Sequence, residues 1–365
     1  MTIAQIKTSN VSPSNLWRQR PDDTQYESLN QMITDAQLVR QQSSARVISS
    51  RGMAAIPDPN GNWQSLGVAL ADEGVRNPTH WAFGQMCQLA NANAGYLRKL
   101  PAALAADCIN FGLRHLREAE DVGLLCQDNG DHMVNAVTGP NYGRVWNDDL
   151  LLAVEEKIGN LSGNDGSPWQ AIKSGSNVSL YGSDRDCFLF FYDKENPVTV
   201  PNRRNGQDGL VYRGLMVWNS MVGNMSLGMA SFLFDATCFN RTVFGVTGAE
   251  KLTIRHTASA PDKFVEQIVP ALEAYREAST EGLQQTINNA RAAKIEDDVS
   301  DFLAKRFGKG LSKSLQTVHE LEEGRPIETL WDASVAATAV ARSKSHQDNR
   351  VALERQAGEL LELVA

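Results

Sequence analysis

The sequence predicts an α+β fold: a curved, mainly antiparallel sheet with packed helices and a helical C-terminal region. Three observations carry this expectation. Apolar and other side chains alternate with period two through residues 210–219, helical periodicity fills most of the chain after residue 261, and clusters of Gly, Asn and Pro separate apolar runs of strand length. At 365 residues the chain can bury a sizeable core, and the length allows about two domains. It divides into an N-terminal docking segment (1–45), an α+β core (46–260) and a helical C-terminal region (261–365).

Taken in order, Tyr26, Leu29, Met32, Ile33, Leu38 and Val39 recur at helical spacing, so residues 12–42 hold a helix that docks on the body. In RVISSRGMAAIPDPNGNWQSLGV (46–68) two apolar-rich runs flank Pro57-Asp58-Pro59-Asn60-Gly61, which predicts a hairpin. Thr79 caps a helix over WAFGQMCQLA, and Pro101 opens a second, giving a helical pair in 79–120. HMVNAVTG (132–139) reads as a strand, residues 140–144 as a turn, and Asn147 or Asp148 as the cap of DDLLLAVEEKI. GNLSGNDGSP (159–168) is the clearest loop in the chain.

Beyond it, DCFLFFYD has the unbroken apolar run of a central strand, and ENPVTVPNRRNGQDG reads as a polar loop before a strand from Leu210. Alternation there places Tyr212, Gly214, Met216 and Trp218 on one face and Val211, Arg213, Leu215, Val217 and Asn219 on the other. One arginine thus sits on an aliphatic face. The sheet is expected from residues near 46–70, 130–138 and 178–256. After it, PDKFVEQIVPALEAYREAST opens a helix at a proline, and amphipathic segments follow near 283–307, 311–323, 328–342 and 348–364.

Composition narrows the function. Net charge is −8, distributed as −4 over 1–164, +1 over 165–256 and −5 over 257–365, so there is no basic body of the kind that coats nucleic acid. Phosphate binding would need a local groove, most naturally in the middle segment. The N-terminal residues carry neither a basic lead nor an apolar signal core, and no apolar run approaches the roughly 18 residues of a membrane span. A soluble cytoplasmic protein with no membrane partner is expected. Cys87, Cys108, Cys126, Cys187 and Cys238 are scattered without a CxxC pair, which suggests reduced, mostly buried thiols.

The string YRGLMVWNSMVGNMSLGMASFLFDATCFNRTVFG (212–245), followed by IRHT (254–257), resembles the core of the domain of unknown function 932, the phage/plasmid-like protein family. Agreement extends to LWRQRPDDTQYESLNQM (16–32), AFGQMCQLANANAGYLRKLPAALAADCIN (82–110), GPNYGRVWNDDLL (139–151) and the closing helices. The Cys-Asn dipeptide typical of that family is interrupted here by Phe239. What the resemblance implies is a mobile-element setting inside a bacterial host cell and a role in phage or plasmid DNA metabolism. A separate, fold-level likeness to single-strand annealing proteins, from which no residue carries over, adds annealing by an oligomer or a recombination accessory role as an expectation.

For single-stranded DNA, the chain needs cations to follow phosphates and aromatic rings to stack bases. The candidates are Tyr142, Arg144 and Trp146 in the turn, Arg203 and Arg204 in the loop before the Gly-rich strand, and Arg213, Arg241, Arg255 and His256 in the β core. Against this stands a purely structural role, in which the aromatics pack a helix on the sheet and Arg213 pairs with an acid such as Asp235. Clustering of the arginines on one surface favours DNA; pairing with acids favours a protein-interaction factor that modulates host defence or replication without touching DNA.

Gly214, Gly223, Gly228 and Gly245 match neither a P-loop nor a dinucleotide fingerprint and read as bulges or bends. The six histidines show no HxH or HxxxH spacing, so no metal and no cofactor is expected. Asp184 and Asp186 around Arg185, Asp193 and Glu195 around Lys194, and Asp148-Asp149 raise a metal-dependent nuclease as a lesser alternative, their ordinary reading being solvated charges or helix caps. The apolar stripe Val351, Leu353, Leu360, Leu361 and Val364 makes a homo-oligomer the expected assembly, if the stripe does not close on its own domain.

Overall fold

A computed structural model describes residues 12–58, 61–71, 73–116, 118–174, 177–203, 206–236, 239–243, 251–278 and 282–364. Arg204, Cys238 and Gly245 lie outside the described residues. The α+β class is realised as a curled antiparallel half-barrel sheet, packed helices and a C-terminal helical region.

The predicted strand segments divide between two main sheets. Residues 178–256 contribute to an eight-stranded antiparallel sheet centred on the long strands Cys187–Arg203, Gln207–Asn219 and Leu227–Asp235. Segments 46–70 and 130–138 instead enter a separate six-stranded sheet, in which Ser43–Ser49 pairs with Asp121–Gln127 and Met53–Pro57 with Leu66–Leu70. The hairpin predicted around Pro57 is the second of these pairs. A parallel contact between Gly74–Pro78 and Met133–Thr138 completes this smaller sheet.

Alternation in Gln207–Asn219 separates its two faces as the sequence predicts. Leu215 and Val217 join Leu189, Phe191, Leu227 and Met229 under the helices Leu29–Gln42, Asn147–Lys157 and Val269–Glu277. Met216 and Trp218 pack with Phe188, Phe190 and Phe232 on the other face, where Val351 of helix Gln347–Glu362 closes the layer. Two glycines let these aromatics lie flat on the strands. A Cβ on Gly214 would meet the Phe232 ring, and one on Gly228 the Trp218 ring.

The segment expected as a polar loop, ENPVTVPNR, continues the strand from Cys187 to Arg203. Register shifts between Tyr192 and Pro197 and between Val200 and Arg203 absorb the residues that cannot stay in the ladder. Helix starts agree more closely: Thr79 accepts from the Ala82 amide at 3.1 Å, and Pro101 precedes Ala102–Phe111. The helix expected to be capped by Asn147 or Asp148 begins at Asn147, with Trp146 in the cap position and no side-chain cap.

The C-terminal helices pack on their own chain. Leu353 and Leu360 join Phe302, Leu303, Leu315 and Leu330, while Leu361 joins Val200, Val211 and Leu233 of the long sheet. The stripe put forward as a subunit interface is therefore buried within the chain from Val351 to Leu361. Cys87, Cys126 and Cys187 are buried free thiols and Cys108 is an exposed one. No helix among the described residues is long and apolar enough to cross a membrane.

Candidate functional site

The motif WNSMVGN (218–224) forms the loop by which the long sheet grips the rest of the molecule. Its backbone carbonyls are answered by side chains from elsewhere: Trp81 Nε1 and Gln85 Nε2 donate to Val222 O at 2.9 and 2.7 Å, the Tyr142 hydroxyl donates to Ser220 O at 2.7 Å, and Arg144 Nε donates to Met221 O at 2.8 Å. Asn219 donates to Val145 O and to Asn147 Oδ1, both at 2.8 Å, and the Ser220 hydroxyl donates to Arg185 O at 2.6 Å. Gly223 turns this loop at φ 87°, a region that favours glycine. Each buried carbonyl would be costly if left unpaired, so this mesh fixes the loop against the smaller sheet.

Five of the nine predicted DNA contacts come together here. The Gly143 amide donates to His256 O at 3.1 Å, His256 Nδ1 donates to Gly143 O at 3.0 Å, and the His256 ring stacks on Tyr142 at 4.9 Å. Arg144 lies over both Tyr142 and Trp146, at 5.5 and 5.8 Å. Arg255 is exposed beside them, whereas Tyr142, Arg144, Trp146 and His256 are half-buried. Burial holds the His256 imidazole below its ordinary pKa, against the opposing pull of the Gly143 carbonyl, so the ring is neutral at pH 7.

Arg203, Arg213 and Arg241 are placed differently. Arg203, expected on a solvated loop, is 2% exposed and pairs with Asp235 and, at 2.9 Å, with Glu323. Arg213 pairs with Asp193 rather than Asp235, at 3.1 Å, and donates to the carbonyls of Tyr275 and Ala278 at the end of helix Val269–Glu277. The Trp169 and Tyr275 rings lie within 5.1 and 5.2 Å of its guanidinium. Arg241 is 1% exposed, donates to Glu354 and Gln347 at 2.9 Å each, and lies over the Phe190 ring. These three are closed inside the fold by acids, and a phosphate could reach them only by breaking buried ion pairs. The long strand carries Arg203 inward because it extends through what reads as a loop.

Beside the anchoring loop lies a cleft of about 570 Å³ bounded by both sheets, by helix Leu29–Gln42 and by Met221 and Val222. Asp22, Asp35, Asp131, Asp184 and Asp186 line it, with Arg185 as the cation among them. The Asp184-Arg185-Asp186 triplet, read from sequence as solvated charge, is largely buried: Arg185 is 9% and Asp186 4% exposed. Arg185 donates to Asp184 Oδ1 at 3.3 Å, contacts His80 Nδ1 at 3.0 Å and covers the Trp81 ring at 4.9 Å. Burial, then the charges of Arg98 and Arg185, push the His80 pKa down to about 3. A neutral His80 can therefore accept from Arg185.

Asp186 takes neutral donors, the Ser183 hydroxyl at 2.8 Å and the Asn224 amide at 2.7 Å. Burial raises its pKa to about 6, with Asp348 and Asp23 adding to the rise. Asp35 accepts from the Tyr26 hydroxyl at 2.5 Å. The acids do not converge: among the described residues no group of three His, Cys, Asp or Glu side chains could hold a metal ion. Asp193, part of the nuclease alternative, is the partner of Arg213, and Asp148 and Asp149 both receive Arg40 Nη1, at 3.0 and 2.7 Å.

No family model, curated protein or solved structure matches this chain. The chemistry of the site rests on its own residues. Of the cleft acids, the 184–186 triplet was visible in the sequence as alternating charge; Asp22, Asp35 and Asp131 come from distant segments and carry no spacing signal.

Proposed function

We propose that this chain is a non-enzymatic binding protein that recognises its partner through the acidic cleft, in the phage or plasmid setting that the motifs of residues 212–257 imply. The observation that supports it most is the disposition of charge. Arg203, Arg213 and Arg241 are answered by buried carboxylates, while the described residues that line the cleft include five acids and one guanidinium. Binding to DNA through counterion release requires cations free to meet phosphates, and an acidic concavity repels them. A modulator of host defence or of replication acting by protein contact fits this arrangement. The test is fluorescence anisotropy with labelled single- and double-stranded DNA at two salt concentrations: this reading expects no saturable, salt-sensitive binding.

A second reading, a single-strand annealing or recombination accessory factor, is favoured by one observation. The Tyr142–His256 stack with Arg144 and the exposed Arg255 offers rings and a cation on one face. Salt-sensitive binding of single strands that is lost in Arg255→Ala would establish that reading, and a multimer in light scattering would extend it to an oligomer.

A further inference from the structure

We propose that the outward face of helix Ala102–Phe111 and its π-helical continuation Gly112–Leu116 docks a second copy of this chain, the two helices lying antiparallel across a twofold axis. This goes beyond the cleft reading and does not depend on it.

The helix is apolar on both sides. Its sequence AALAADCINF holds a single charge, Asp107. The Asn110 amide is engaged by the edge strand Met53–Pro57, donating to Ala55 O at 2.8 Å and accepting from the Ala55 amide at 2.9 Å. Ala102, Ala105, Ala106 and Ile109 close one face on the smaller sheet. On the opposite face Leu104 is 52% exposed, Phe111 57% and Leu116 55%, with the exposed Cys108 between the first two. The Phe111 ring rests 5.0 Å from His115. Trp63, also exposed, extends the patch at the helix start, where its carbonyl accepts from the Ala102 amide at 2.9 Å. A helix that is apolar all round is normally covered all round, and an exposed stripe of this kind marks a protein contact.

Spacing chooses the occupant. Leu104, Cys108 and Phe111 succeed one another by α-helical turns, and Leu116 follows Phe111 by one turn of the wider π helix. The stripe therefore reads alike from either end. Reversed against itself, it sets Leu104 opposite the partner's Leu116 and Cys108 opposite the partner's Phe111.

Charge makes the same choice independently. Asp107 and Arg114 are both exposed and flank the stripe on the same side. Among the described residues neither has an ion-pair partner within the chain. Flanks on the same side meet when two helices run antiparallel, so Asp107 faces the partner's Arg114 and Arg114 the partner's Asp107. A second copy supplies this match twice, as an isologous interface requires. One pair of helices of this length covers less than the about 800 Å² per partner typical of stable complexes, which makes the dimer dissociable.

The test is sedimentation equilibrium of the full chain across micromolar concentrations. A monomer–dimer equilibrium is expected, abolished by Phe111→Asp and unchanged by Leu321→Asp, which alters an exposed leucine elsewhere, 80% exposed. Asp107→Arg alone places like charges together at both ends of the interface and should weaken the dimer about tenfold, and the double reversal Asp107→Arg/Arg114→Asp should restore it. Should Phe111→Asp fold poorly, the charge reversals still decide the matter. A monomer at every concentration would overturn the proposal. So would a dimer indifferent to Phe111→Asp and Asp107→Arg, or one that the double reversal fails to restore. None of these outcomes bears on DNA binding, which tests the cleft reading separately.

Discussion

Replacing Arg213 by Ala removes the centre of a buried assembly that ties the long sheet to a helix end. Arg213 is 3% exposed and Asp193 2%, and their 3.1 Å pair sits beside the carbonyls of Tyr275 and Ala278. Breaking one partner of such a buried pair costs about 3–5 kcal/mol, because the remaining charge loses its counterion. Among the described residues, the Asp193 oxygens keep the Glu195 amide at 3.1 Å and the Asn196 side chain at 2.8 Å. The Ala278 carbonyl loses its donor and adds about 1–3 kcal/mol where water cannot reach it, whereas the Tyr275 carbonyl keeps the Ala278 amide at 3.3 Å. Against a typical total stability of about 5–15 kcal/mol this is a large fraction. The melting temperature should fall by roughly 10–30 °C, given about 2–4 °C per kcal/mol for chains of 150–250 residues.

The assay is calorimetry or thermal circular dichroism on the purified variant. A companion, Arg213→Met with Asp193→Asn, removes both charges together and should recover about 2 kcal/mol of the single-variant loss. Retention of the wild-type melting temperature by Arg213→Ala, with loss of a DNA-binding signal, would refute the structural role and restore Arg213 to a nucleic-acid surface.

Arg203→Met leaves Asp235 and Glu323 facing each other without their shared cation and should destabilise by about 3–5 kcal/mol in urea denaturation, more than the loss from Arg255→Ala, which is exposed and should stay within about 0.5 kcal/mol. Asp186 has the opposite sign. Its folded pKa of about 6 exceeds the ordinary 3.8, so its stabilising share is fully present below about pH 4 and is lost as pH rises through 6. Asp186→Asn should therefore match the wild type near pH 4 and exceed it by up to about 3 kcal/mol at pH 7.5, as read from unfolding curves at the two pH values. Gly214→Ala places a methyl group against the Phe232 ring in a closed layer and should cost about 1–3 kcal/mol, checked by thermal unfolding.

Local pattern was legible; remote pairing was not. The faces of Gln207–Asn219 follow from the two-residue period of a strand, and the starts of His80–Leu89 and Ala102–Phe111 follow from Thr79 and Pro101. The strand continuation to Arg203 was hidden, because Pro197 and Pro201 argue for a loop wherever bulges are not known to accommodate them. Ion-pair partners were equally hidden: Glu323 reaches Arg203 across 120 residues and Glu354 reaches Arg241 across 113. No spacing signal in the sequence linked Tyr142 and Arg144 to His256; the fold brings them together, and their polar atoms are taken up by Ser220 O, Met221 O and Gly143 O. The cleft acids come from segments that only the tertiary fold brings together.

Charge placement is the account's central claim, and the salt dependence of DNA binding tests it most directly. Anisotropy of a labelled single strand, titrated with the wild-type chain at low and at physiological salt, should show no saturable signal at either. A binding constant that falls linearly with salt on logarithmic axes would mean that several cations meet phosphates at once, and would contradict the reading of the chain as a protein that acts without touching DNA.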